Sequence, residues 1–546
     1  MKNLYTLLFI LGLFAVTLSC TDVEEELRGV ITSDISVEGI VTDSGGAAGG
    51  DALEGAFSQL RNTGTGGHTN WYSVQELTSD EMVVTTKGGD WYDGGWLIDF
   101  HKHQYKPTNP SVTNNWNSHY GAVNACNELL AGGSLDANGT AQIRALRAYF
   151  FWRLMDLYGN IKLPTAPGAA APQKTRAEAF AFIEAELLAA LGDSDLSDGI
   201  DLSSSALGTS KDAYRLNQFG VLGIISKLYL GAEVYLETSM GARDGTPHYN
   251  EAAAAATYII DNGGYSLCLP ADCKGSNPGA RPEGGALVGA DADPTELAGF
   301  PHVFQPNNQG NPEHIFTVKY DAATAGGFNL AMMALHYSSQ LTWNFDSQPW
   351  NGYSTLEAFY NSFNGDPRQE WSFIEGPQYD FGGNDLLDYA TDDGEAKLNY
   401  TPFVNEIYPD GCRECGARPG KFSYAQFGRS SMDNDFTLIR LGQVYLIRAE
   451  ALARAAGDWS LAIPDVNIVR ARAGASAYAA MDADEFLAER GREMFSEAVR
   501  RTDLIRFGKY GDTWWEKPAS DANKTLLPIP FEALGADTGL SQNLGY

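Results

Sequence analysis

Apolar residues recur at every third or fourth position over several stretches of this 546-residue chain, the period of a helix that buries one stripe. In Ile143–Tyr158 they fall at Ile143, Leu146, Phe150, Leu154 and Leu157, and Gly159 ends the run with Pro164 shortly beyond. The same period predicts helices over Ala177–Leu191, Gln218–Leu236, Tyr249–Asn262, Phe436–Ala455 and Glu485–Phe507. Alanines at contact positions let such helices approach closely. Pairs joined by short turns predict stacked helix hairpins resembling tetratricopeptide repeats, although no strict consensus recurs at a fixed period. Thr63–Pro110 and Cys268–Asp380 lack any sustained period. Long segments of this kind are functional or disordered, and their aromatic content argues for order. Trp71, Tyr72, Trp91, Tyr92 and Trp96 fall in the first, and Trp343, Trp350, Tyr353 and Trp371 in the second. The expected fold is mainly α, with a large irregular, loop-rich face.

The N-terminus carries a different pattern. Lys2 precedes an apolar run from Leu4 to Leu18, too short and too close to the terminus for a convincing membrane span. Ser19-Cys20 follows, and then the acidic stretch Thr21-Asp22-Val23-Glu24-Glu25-Glu26. This resembles a bacterial lipoprotein signal, with Thr17 where leucine is common, and the acidic stretch is similar to the surface-export signal of Bacteroidetes lipoproteins. The resemblance implies that Cys20 is acylated and that the chain is anchored in the outer membrane, facing outward. An ordinary cleaved secretory peptide is the alternative.

Sixty-nine acidic against 38 basic side chains give a formal charge of −31, spread along the chain. A field of that sign disfavours nucleic acid and anionic membrane surfaces. It also leans toward neutral ligands, unless a local basic patch overrides the average. Outside the cytoplasm, Cys268 with Cys273 and Cys412 with Cys415 read as two short-loop disulfides. A four-cysteine zinc site is the alternative. Cys126, inside a helical pattern, reads as a buried thiol.

Several blocks then carry a family resemblance. Trp116-Asn117-Ser118-His119-Tyr120 is followed by Arg144-Ala145-Leu146-Arg147-Ala148-Tyr149-Phe150 and Asp156-Leu157-Tyr158-Gly159-Asn160. Asp435–Leu441 leads into Leu446-Ile447-Arg448-Ala449-Glu450-Ala451, then Asn467–Gly474, then Glu489-Arg490 through Asp503–Phe507. Leu526-Leu527-Pro528-Ile529-Pro530 and Gln542–Tyr546 close the series. In this order the blocks resemble the SusD/RagB nutrient-binding lipoproteins across nearly the whole mature chain. Ser496-Glu497-Ala498-Val499-Arg500 stands where a glycine and often a histidine are common, and Leu544 replaces the usual proline. The resemblance implies a SusD-like fold and no catalysis. It divides the chain into a signal peptide (1–19), a lipidated tether (20–40), a helical-repeat region with an aromatic loop (41–267) and a RagB/SusD C-terminal region (268–546). It also implies a partner, a SusC-like TonB-dependent transporter to which a captured oligosaccharide is passed.

Gly88-Gly89-Asp90-Trp91-Tyr92-Asp93-Gly94-Gly95-Trp96 resembles a segment of glycan-binding members of that family. Its glycines leave a backbone able to present rings outward. An indole covers the C–H face of a sugar while Asp, Asn or Gln reach the hydroxyl rim. Trp91, Tyr92, Trp96, Asp90, Asp93 and Trp71 are therefore ligand candidates, with Trp343, Trp350 and Asn344 from the second loop region. Trp116, Trp152 and Trp459, in helical patterns, read as core. Glu489, Arg490, Glu493, Glu497, Arg500, Asp503 and Arg506 recur at helical spacings, which reads as an ion-pair network rather than catalysis. His101 and His103 alternate, but two ligands make no metal site. Asp193, Asp195, Asp198 and Asp201 could hold calcium, though a solvated turn explains them better. No cofactor is expected. The rival functions are a binder of peptide or another non-sugar nutrient, and an anchored glycoside hydrolase, which needs two carboxylates in one cleft.

Overall fold

The computed structural model describes residues 51–64, 67–275, 297–389 and 396–546. The expected signal peptide, Cys20 and the tether over 20–40 lie outside the described residues.

Among the described residues, the helices of six residues or more build the scaffold up to its long insertion. These are α1 (Trp71–Leu77), α2 (Trp96–His101), α3 (Pro110–Ala131), α4 (Ala137–Tyr158), α5 (Arg176–Leu191), α6 (Gln218–Leu230) and α7 (Tyr249–Asn262). After the insertion come α8 (Leu441–Ala456), α9 (Ile463–Arg472), α10 (Ala483–Met494) and α11 (Arg500–Arg506). From α3 to α8 each of these helices packs on the next, and α8 packs on α9. This is the expected stack of hairpins. The stack is continued from α7 to α8 although the chain between them leaves to build the irregular face.

Local chemistry sets the helix ends. Asp136 caps α4 by accepting from Gly139 N–H at 2.7 Å, and Thr175 with Glu178 forms a capping box on α5. Gly159 ends α4 at φ 68°, where only glycine fits easily, and a Cβ there would stand 2.6 Å from Leu526 Cδ1. Leu526 belongs to the proline-rich segment, which lies as an extended strap: Leu527 N–H donates to Leu157 O at 2.7 Å, and Asn543 Nδ2 to Tyr158 O at 2.9 Å. All five stripe residues of α4 are fully buried, and so is most of the rest of the helix, because neighbours cover it on several sides. Cys126 is buried in α3, and burial pushes its thiol up to about 12.

Three expectations need correction. Phe436–Arg440 is not the first turn of α8 but a strand, paired antiparallel with His314–Val318 across a bulge. Aromatic and β-branched side chains suit that buried pairing. The helix from Gln218 breaks after Leu230 at Gly231, with a short turn over Ala232–Tyr235. Glu485–Phe507 is two helices, α10 and α11, parted at residues 495–499, where Ser496 and Ala498 adopt φ of 62° and 57°. A left-handed backbone ends any helix.

The break serves the interior. Arg440 Nη1 donates to Glu493 at 2.8 Å and its Nε to Glu497 at 2.7 Å, while Lys421 reaches Glu497 at 2.6 Å. Arg368 bridges Glu489 at 2.8 Å and Glu493 at 3.0 Å, and Arg490 grips Asp503 at 2.8 and 2.9 Å. Arg500 reaches Asp80 at 2.7 Å, and Arg506 reaches Glu450 at 2.8 Å. Burial alone would raise the pKa of Glu450 and Glu497, but the surrounding cations hold both down at about 2. Every carboxylate of the spaced series is therefore engaged by a cation. They fix architecture. No helix among the described residues is long and apolar enough to cross a membrane.

Candidate ligand-binding face

Three chain segments meet beside the strands β1 (Met82–Val84) and β2 (Gly88–Trp91). β1 pairs antiparallel with β3 (Tyr353–Thr355), which fixes the end of the 337–353 segment. On the other side Thr86 N–H donates to Ile407 O at 2.9 Å and Gly411 N–H to Thr86 O at 2.6 Å, which straps on the 403–416 segment. The Cys412–Cys415 disulfide closes the end of that segment, and a second disulfide joins Cys268 to Cys273. The short-loop disulfide reading of both cysteine pairs is what the structure contains.

The glycine-rich loop is built almost entirely from positive φ: Gly88, Gly89, Trp91, Asp93, Gly94 and Gly95 lie at 64°, 124°, 64°, 45°, 72° and 84°. Glycine adopts these values freely, but Trp91 and Asp93 do so at a cost of about 1–3 kcal/mol each. The strain aims the side chains. Trp91 lays its indole against Gly352, where a Cβ would meet the ring at 2.4 Å, and its Nε1 donates to Trp350 O at 2.6 Å. Tyr92, turned the other way, is 43% exposed and lies 5.4 Å from the 52%-exposed Tyr408. Trp350 is exposed, and nearby Gln348 Nε2 donates to the exposed Tyr389 hydroxyl at 2.7 Å. Exposed Asp90 accepts from the Tyr337 hydroxyl at 2.5 Å. The Arg413 guanidinium lies over Gly88 with Asp410 just beyond. Burial of Tyr337, reinforced by the Asp90 carboxylate, raises its pKa, so the phenol stays a donor. Open rings thus alternate with carboxylate, amide and guanidinium groups along one surface.

Of the residues nominated from sequence, Asp90, Tyr92, Asp93 and Trp350 are exposed on this face, and Trp91 is half-buried at its centre. Trp96, Trp71 and Trp343 require correction as exposed platforms. Trp96 is 8% exposed, stacked near His68 at 6.3 Å and edge-on to Phe100 at 5.6 Å. Trp71 is equally buried, with the Arg153 guanidinium 3.9 Å from its ring centre. Trp343 is fully enclosed and stacks on Phe345 at 5.9 Å. Asn344, left-handed at φ 49°, ends the short helix Gln340–Trp343. The sequence reading missed Tyr337, Tyr389, Tyr408 and Arg413. The signal lay in Tyr408-Pro409-Asp410-Gly411, where a ring inside a turn-rich run has no helix or strand to bury it.

The other candidates have structural partners. His101 and His103 are buried; Nε2 of His101 meets Trp515 O at 2.7 Å and that of His103 meets Thr78 O at 2.9 Å. Burial lowers both, His101 to about 4, so they are neutral pegs. Asp193 and Asp201 accept backbone N–H groups of their own loop, from Ser194 at 2.7 Å and Ser203 at 2.9 Å.

A stack of helix hairpins presenting a loop-built aromatic face defines the class of this protein. The sequence model of the SusD family matches residues 312–520. The starch-binding protein SusD of Bacteroides thetaiotaomicron is 35% identical over 124 residues, 21% of this chain and 22% of that protein, so the match spans about a fifth of the relative's length. A laminarin-binding SusD-like protein superposes at TM-score 0.63 with 22% identity, over 90% of this chain and 98% of that one. The surface glycan-binding protein A of Bacteroides thetaiotaomicron, in complex with laminarihexaose, superposes at 0.66 with 19% identity, over 89% and 97%. Residues 312–520 thus match the SusD family, and the chain as a whole has the SusD-like fold.

Proposed function

We propose that this chain is a non-enzymatic, lipid-anchored glycan-binding protein of the outer-membrane surface. It captures an oligosaccharide on the Tyr92–Trp350 face and passes it to a SusC-like TonB-dependent transporter. The observation that carries the reading is the set of exposed rings, Tyr92, Trp350, Tyr389 and Tyr408, held by strained or cross-linked loops beside Asp90 and Arg413. A single exposed ring is ordinary, but several brought together beside polar groups mark an interaction site. Covering roughly 50 Å² of sugar face per ring contributes about 1 kcal/mol. Several such contacts with a few hydrogen bonds give millimolar to micromolar affinity, about −4 to −8 kcal/mol. Binding of that strength permits onward transfer. Relatives named for starch and laminarin support a neutral glucan as the ligand.

The test is calorimetric titration of the protein with gluco-oligosaccharides of different linkage, together with an assay for new reducing ends. Stoichiometric binding without cleavage, weakened in Trp350→Ala, is expected. Cleavage would convert the reading to a hydrolase, and silence toward every glycan beside binding of peptides would convert it to a peptide binder.

A further inference from the structure

Beside Trp71, α1, α4, α6, α8, α10 and α11 line a partly open cavity of about 50 Å³. Four basic side chains line it, Arg153, Lys227, Arg490 and Arg506, against one carboxylate, Asp156. That carboxylate is already engaged by Arg501 at 2.7 Å. Arg506 is neutralised by Glu450 and Asp503, and Arg490 spends Nε and Nη2 on Asp503.

Arg153 is different. It is 3% exposed, and its guanidinium donates only to neutral hydroxyls, Thr63 Oγ1 at 3.1 Å and Tyr149 at 2.8 Å. No carboxylate among the described residues pairs with it. The rings of Trp71 and Tyr149, 3.9 and 4.6 Å away, offset part of the charge. Among the described residues Lys227, partly buried, likewise has no carboxylate in ion-pair range; its Nζ donates to Leu438 O at 3.2 Å, and burial pulls its pKa down to about 7, so the amine is only partly charged until an anion joins it. Two N–H groups on the lining arginines, Arg153 Nε and Arg490 Nη1, make no hydrogen bond within the protein. A buried charge without a counter-charge is strongly destabilising. Water can satisfy the N–H groups but not the charge. A water takes roughly 10–15 Å³ of such space, so the cavity admits one small ion with water beside it and excludes a sugar or a phosphorylated metabolite.

We propose that this cavity is a binding site for a small monovalent inorganic anion of halide size, held by Arg153 Nε and Arg490 Nη1 with Lys227 at its edge. The ion supplies the counter-charge that the fold withholds from Arg153 and so braces the ring of Trp71 stacked on it. The proposal is independent of the sugar reading.

Crystals of the protein grown in sodium bromide test it directly. An anomalous bromine peak inside the cavity, within hydrogen-bond distance of Arg153 Nε, is expected. In solution the melting temperature in bromide should exceed that in sodium gluconate at equal ionic strength by about 1–3 °C. Most of that difference should vanish in Lys227→Met and Arg153→Gln. If Arg153→Gln does not fold, Lys227→Met carries the comparison, with circular dichroism showing that it retains the fold. A cavity holding only water in the bromide crystals overturns the proposal, as does an undiminished salt difference in Lys227→Met.

Discussion

Trp91 Nε1 donates to the main-chain carbonyl of Trp350 at 2.6 Å, so one indole holds the backbone on which the other stands. The two rings therefore have different duties. Trp91 is half-buried, with its one polar atom committed, and Trp350 is 37% exposed. Trp350→Ala, and separately Tyr92→Ala, should weaken oligosaccharide binding five- to tenfold, about 1–1.4 kcal/mol, with the melting temperature unchanged. Calorimetry beside thermal denaturation checks both halves of this statement. Normal affinity in both variants would remove the face from consideration.

Trp96 makes the contrasting case. Its ring is enclosed between His68 and Phe100, so Trp96→Ala should cost about 3–5 kcal/mol of stability. A denaturant titration reads this as a lower midpoint at unchanged slope.

Glu76 and Glu81 form a buried carboxyl pair. Glu76 accepts from Ala498 N–H at 2.7 Å and Glu81 from Ser496 N–H at 3.3 Å. Burial raises both, Glu76 to about 7, and the like charge of Glu76 raises Glu81 further. Both pKa values lie above those of the unfolded chain, so the folded state binds protons more tightly. The stability this provides is complete below about pH 4.5 and is lost as pH rises through 7. Glu450 and Glu497, held at about 2, act oppositely: their contribution is present above pH 4.5 and is lost only in strong acid. Glu81→Gln keeps a neutral, hydrogen-bonding side chain. The drop in melting temperature between pH 5 and pH 8 should be smaller in this variant than in the parent.

The buried network yields a further expectation. Glu493→Gln leaves Arg440, Arg472 and Arg368 short of a shared counter-charge and should cost about 3–5 kcal/mol. A variant that melts like the parent would mean that these ion pairs do not hold α10 in place.

Ala498 holds a φ of 57°, a left-handed value that glycine adopts freely and alanine does not. In an ordinary helix Ala→Gly costs about 1 kcal/mol. Here relief of the left-handed strain offsets that loss, and Ala498→Gly should melt within about 1 kcal/mol of the parent. Ala498→Val, β-branched in a backbone that disfavours it, should be clearly destabilised. Equal behaviour of the two variants would refute the strain argument.

The hairpin stack was legible because burying one stripe imposes a period, and Tyr249–Asn262 appears with the bounds its pattern predicts. Phe436–Arg440 was misread because a short apolar run is compatible with strand or helix, and its partner, His314–Val318, lies far away in sequence. The split at Ser496 was invisible to periodicity, since the charged residues on either side keep helical spacing although the chain does not. At the site, the glycines announced the 88–95 loop. Which rings would be enclosed depended on His68, Phe100, Phe345 and Gly352, contacts that only the tertiary fold brings together.

The strap at Leu526–Pro530, with Asn543 behind it, completes the packing of α4 at Leu157–Gly159. The packing at the C-terminal end of α4 therefore depends on residues as far along the chain as Asn543. Premature cleavage anywhere before the strap would leave the Tyr158 carbonyl and the flank of Gly159 open to water, so damaged copies expose a seam near their beginning rather than at their broken end.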